Sequence, residues 1–147
     1  IAQFAQLLHK KDNLFSEIIE AKKVNDLFNL FTASVSDYWN KHYVFDRLVK
    51  YSEKSLGYSS AELIIINTIA PFLFVYGQQK NKQEYKDSAL KLLEQLKPEK
   101  NSITENWEKL GLKIDSAFNS QALLQLKNEY CSHKKCLNCS VFNSIIR

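Results

Sequence analysis

The sequence predicts an all-α fold: a compact multi-helix bundle with a central buried apolar helix and a C-terminal cysteine-containing loop. Three observations carry that expectation. Only 3 Gly and 2 Pro stand among 147 residues, too few for the many tight turns of a β-sandwich or for a disordered or collagen-like chain. Apolar residues recur at helical spacing along most of the chain and are punctuated by capping residues. One stretch, Leu63 to Tyr76, is apolar on every side, as a helix enclosed by others would be. A chain of this length buries roughly two-thirds of the surface its unfolded form exposes, enough for one core without disulfides. Residues 1–147 are therefore read as one helical domain.

Taken in order, Ile1, Phe4, Ala5 and Leu8 share one helical face, and Asp12 can cap a second short helix that turns Leu14, Phe15, Ile18 and Ile19 inward. Asn25 can start a third, with Leu27, Phe28, Leu30 and Phe31 on its inner side. From Tyr38 to Tyr58 aromatic residues alternate with Lys41, His42, Arg47, Lys50 and Lys54, and the expectation is irregular or broken helix. Its large apolar groups outnumber what one short charged stretch buries, so part of it should form an exposed docking patch.

Ser59 and Glu62 stand at capping-box spacing ahead of the central apolar run, with Gly77 as its stop and Pro71 as a kink or restart. Ile66 and Leu73 are expected in the core. Asn81 opens a helix lined by Tyr85, Ala89, Leu92, Leu93 and Leu96 until Pro98. Ser102 and Glu105 box the next, which turns Ile103, Trp107 and Leu110 inward before Gly111. Asn119 or Ser120 caps the last long helix, with Ala122, Leu123, Leu126 and Tyr130 inward.

Several function classes are excluded or disfavoured. The longest apolar stretch has 14 residues where a membrane span needs about 20, so no span is expected. No charged n-region or cleavage motif opens the chain at Ile1, which predicts a fragment of a longer protein rather than a secretory leader. Twenty basic against 16 acidic side chains leave +4, and the excess lies in residues 127–147, with 4 basic groups and 1 acidic. That tail attracts anions modestly, far short of a dedicated nucleic-acid binder's basic stripe. No nucleophile elbow, zinc-protease helix, phosphate loop or dinucleotide fingerprint occurs. Carboxylates such as Glu84, Asp87 and Glu94 fall on solvent faces, where helix pairing is the ordinary role.

The one compact constellation is Cys131-x4-Cys136-x2-Cys139, with His133 inside it and Lys127, Lys134 and Lys135 around it. Three cysteines within nine residues cannot staple distant parts of a fold, and reduced thiols or metal ligands in the cytoplasm suit them better than disulfides. A C-x2-C pair lets two thiolates converge through a tight turn, and a third thiolate upstream closes another side. Soft ligands of this kind suit zinc or an iron–sulfur cluster, with the lysines offsetting the negative charge. His133 is the nearest candidate fourth ligand; His42, an Asp or a residue from a missing segment are the alternatives. The plainer reading is three reduced thiols at a helix end with Leu137 packed between them. The aromatic and basic segment Tyr38 to Lys54 admits a nucleic-acid reading, by base stacking and phosphate neutralisation, against the commoner one of core and interface.

Three stretches carry a family resemblance: GYSSAELIIINTIAPFLFVYG at 57–77, LLEQLKPEKNSITENWEKLG at 92–111, and SAFNSQALLQLKNEYCSHKKCLNC at 116–139. They resemble the C-terminal half of a bacterial family catalogued only as a domain of unknown function, and Ile1 to Ala5 also fits as an internal stretch of it. Tyr130-Cys131 with Lys135-Cys136-Leu137-x-Cys139 is the most specific part. The resemblance implies a longer protein whose N-terminal part is β-rich and faintly similar to restriction-nuclease-like cores. This chain would then be an accessory domain with that part as partner, or a nucleic-acid-binding accessory to it. Where members continue after the third cysteine with an Ile-Gly pair, this chain has Val141-Phe142.

Overall fold

The computed structural model describes residues 2–21, 23–32 and 34–146, with the side chains of Lys10, Ile145 and Ile146 outside that description. It is all-α: helices make up nearly every regular element, and among the described residues only two isolated antiparallel bridges occur, Ser34 with Ser55 and His42 with Leu48. The chain groups into two compact units, 1–92 and 93–147, where the sequence reads as one domain. Each unit is described by itself.

Unit one begins with three short helices, α1 (Ala2–Lys10), α2 (Leu14–Glu20) and α3 (Val24–Leu30). In α1 the expected inner face is corrected: Leu7 is buried, Phe4 and Leu8 are exposed, and Ile1 lies outside the described residues. Ile18 of α2 and Leu27 and Phe31 at the end of α3 are buried as expected. The starts move slightly, to Asn13 for α2 and to Lys23 for α3, where the Asp26 carboxylate accepts the Lys23 N–H at 3.0 Å. After the single turn α4 (Asp37–Asn40) the chain stays irregular until residue 57.

The apolar run forms one continuous helix from Tyr58 to Gln79, built of α5 (Tyr58–Ile64), a π-helical turn (Ile65–Ile69) and α6 (Ala70–Gln79). Gly57 rather than Ser59 precedes it, with no side-chain cap. Pro71 cannot donate a backbone hydrogen bond, and the wide π turn falls just before it, with the Ala70 N–H reaching Ile65 O. The expected restart at Pro71 is thus a change of hydrogen-bond register within one helix. Burial is one-sided: Ala61, Ile65, Ile66, Ile69, Ala70, Leu73 and Gly77 form a buried stripe, while Leu63, Phe74 and Val75 are exposed.

Gly77 does not stop the helix. It is a buried helical residue where a Cβ would lie 2.9 Å from Lys82 O and 3.0 Å from Lys86 N, so its role is close backbone approach. The sequence predicts no span; by length and composition alone this helix is long and apolar enough for one, a test that the core helix of a soluble protein also passes. The helix has 22 residues with mean hydropathy 1.5 over its most apolar window, of which 39% is buried.

Helix α7 (Gln83–Gln95) follows a turn in which Asn81 takes a left-handed φ of 51°. Ala89 and Leu92 are buried on its expected face.

Unit two carries the end of α7, α8 (Ser102–Lys109), α9 (Ala117–Gln125), a π-helical turn (Leu126–Cys131), a 3-10 turn (Cys136–Asn138) and α10 (Ser140–Ile146). Asn101, not Ser102, caps α8: its Oδ1 accepts the Ile103 and Thr104 N–H groups, and Thr104 Oγ1 accepts the Asn101 N–H, all at 3.0 Å. Gly111, at φ 89°, ends that helix as expected. Ser116 caps α9, three residues before the expected position. Ser120 lies inside the fold, fully buried, where its hydroxyl donates to Ala117 O and accepts the Glu99 N–H, each at 3.0 Å. Leu110, Ala122 and Tyr130, expected inward, are exposed.

Candidate functional site

Two features stand out, one in each unit. In unit two, α9 widens into its π turn, a local feature often met at functional sites, and ends at Cys131 with the Ser132 N–H on Lys127 O at 2.9 Å. The chain then doubles back. Lys134 takes a left-handed φ of 54°, its N–H donates to Cys131 O at 3.1 Å, and the Lys135 N–H donates to Tyr130 O at 3.0 Å. The 3-10 turn follows, with the Cys139 N–H on Cys136 O at 3.0 Å. Asn143 of α10 ties the loop from the far side, its N–H on Cys139 O and its Nδ2 donating to Leu137 O.

As a result Cys131, Cys136 and Cys139 all line one hollow of about 230 Å³, together with Trp107, Leu126, Tyr130, Val141 and Phe142. All three cysteines are free; Cys131 and Cys136 are exposed and Cys139 is buried. His133 is exposed in the turn and does not line the hollow, and His42 belongs to unit one. Leu137 is 83% exposed, so it does not pack between the cysteines. Among the described residues no three His, Cys, Asp or Glu side chains are grouped so that one ion could take them all. The sequence shows the cysteine spacing but not the wall. Trp107 and Phe142 are ordinary apolar positions until the loop folds against them.

In unit one the irregular segment is a tied platform. Asn40, buried, accepts the Ser52 N–H on its backbone carbonyl and the Lys54 N–H on Oδ1, both at 3.0 Å. The Val49 N–H donates to Lys41 O at 2.8 Å and the Val35 N–H to Lys54 O at 3.1 Å. Lys54 Nζ donates to Trp39 O at 2.6 Å and to His42 O at 2.9 Å, and lies 3.7 Å from the Tyr43 ring centroid. Two carbonyls and one π-face thus occupy its three donors. His42 stacks on Tyr38 with centroids 3.9 Å apart, and Trp39 meets Phe45 edge to face at 5.0 Å.

On this frame Tyr43, Phe45 and Leu48 are each about three-quarters exposed, and Val44 and Tyr51 more than half. Beside them Trp39, Tyr43, Phe45, His9, His42 and Lys54 share a groove of about 700 Å³. The expected exposed aromatic patch is therefore present. Asn40 and Lys54, which organise it, are single polar residues whose partners lie 12 to 15 positions apart, and no local pattern marks them.

Family comparison gives the class of protein. A family model described as a protein of unknown function, DUF2851, matches residues 1–102, and the chain belongs to that family. The cysteine loop lies beyond the matched residues. No curated protein and no solved structure matches the chain.

Proposed function

We propose that this chain is a non-enzymatic helical interaction domain that presents the 38–51 platform to a protein partner and closes its C-terminal loop around a soft metal. One observation carries the first part: large apolar side chains are held out in solvent on a backbone tied through Asn40 and Lys54. A preorganised apolar patch ringed by polar groups is the usual form of a protein contact surface. The partner we assign is the N-terminal part of the longer protein that the family resemblance implies. Charge gives nucleic acid little hold here: across residues 37–54 Lys41, Arg47, Lys50 and Lys54 face Asp37, Asp46 and Glu53, and the Lys54 ammonium is already engaged by two carbonyls and the Tyr43 ring, so the segment offers phosphates only a weak attraction. Support for the metal comes from the three cysteines sharing one hollow. Reduced thiols of this kind belong in the cytoplasm.

Hydroxyl-radical footprinting of this chain beside the longer protein that the resemblance implies tests the surface. Tyr43, Phe45 and Leu48 should be protected in the longer form; equal labelling in both would remove the proposed partner. Binding to a single-stranded oligonucleotide that weakens steeply between about 50 and 200 mM salt would favour the nucleic-acid reading instead.

A further inference from the structure

The three cysteines of the C-terminal loop face one hollow without meeting at one point. We propose that they hold an iron–sulfur cluster, each thiolate on its own iron, rather than a single ion; this rests on the metal-ligating reading above and names the group. One zinc draws its thiolates to about 2.3 Å and so crowds the sulfurs together, and the described residues offer no such trio. A cluster spreads its ligands over several irons, so thiolates placed around a cavity wall suit it better.

The wall has the matching chemistry. Trp107, Leu126, Val141 and Phe142 line the hollow with the cysteines, and apolar groups beside a cluster tune it. A volume of about 230 Å³ is several times what one ion occupies. Cys131 and Cys136 are exposed, so the loop can be loaded from solvent, and Lys127, Lys134 and Lys135 stand within four positions of a cysteine to offset the anionic assembly. The chain has 3 Cys, which leaves one iron of a four-iron cluster to an external ligand. Loading a preassembled cluster is ligand exchange: three iron–thiolate bonds to small external thiolates break, three to the cysteines form, and the three thiol protons leave on the departing thiols. No oxidation state changes.

The test titrates the intact chain under argon with a synthetic four-iron, four-sulfide cluster carrying small-thiolate ligands, and separately with zinc, followed by gel filtration. The expected result is one cluster per chain by iron, sulfide and visible absorption, lost in Cys131→Ser and Cys136→Ser variants whose circular dichroism and melting match the parent. Zinc retained at one per chain while the cluster washes away would overturn the cluster and leave the metal-ligating reading standing. Retention of neither would overturn both.

Discussion

Gly77 shows how much one hydrogen atom can decide. Its Cα lies so close to the turn after α6 that an added methyl group would press on two backbone atoms, Lys82 O and Lys86 N, which cannot swing aside as a side-chain tip can. Overpacking of this sort costs about 1–3 kcal/mol, more than the helix propensity regained by replacing glycine with alanine. Gly77→Ala should therefore lower the urea midpoint. Gly57→Ser should leave the unfolding free energy within about 0.5 kcal/mol of the parent, because nothing lies within 4 Å of a Cβ there and serine is a favoured N-cap. Equal effects of the two changes would remove the close-approach role. In the sequence Gly77 looks like a helix stop, since glycine serves both purposes and only the neighbouring chain separates them.

At the scale of elements, the platform between α4 and α5 replaces helical hydrogen bonds with a few long-range ones, and Lys54 supplies the densest set. A lysine-to-methionine change keeps the stem but removes the ammonium, leaving Trp39 O and His42 O without that donor. Bonds of charged donors are worth about 1.5–3 kcal/mol each when well made, and the partial exposure of Lys54 discounts that figure. In Lys54→Met the Val49 and Ser52 amides should exchange with solvent markedly faster, while amides of α6 and α7 keep their protection. Unchanged exchange at Val49 would show that the Asn40 bonds alone hold the platform. Helix caps follow the same logic on a smaller scale. Asn101 and Ser116 cap α8 and α9, each ahead of an equally eligible residue, because a cap is chosen by where the chain turns and not by residue type alone.

For the molecule as a whole, the question is what the 58–79 helix serves. Length and composition would let it cross a membrane, yet its buried stripe runs from Ala61 through Leu73 to Gly77, and Glu62, Asn67 and Thr68 interrupt the apolar surface. A core role predicts that the parent chain does not float with lipid vesicles. It also predicts that Leu73→Ala, at 3% exposure, lowers the unfolding free energy by about 2–5 kcal/mol, a large share of a domain's stability. Co-flotation that survives a high-salt wash, with an unmoved unfolding transition in Leu73→Ala, would assign the helix to the bilayer.

Sequence alone determined the all-α class, the apolar run that makes the longest helix, the irregular aromatic segment and the three clustered cysteines. These depend on local periodicity, on scarce Gly and Pro, and on spacing within a few residues. Tertiary structure decided which face of each helix is hidden: Leu7 rather than Phe4 and Leu8, Ser120 rather than Ala122, and one stripe of the 58–79 helix, with Leu63, Phe74 and Val75 left outside it. It also decided that Lys54 ties a platform and that Trp107 and Phe142 wall in the cysteines. The reason is physical: a helical period offers several faces of similar hydrophobicity, and which one leaves water depends on segments far along the chain that come to cover it.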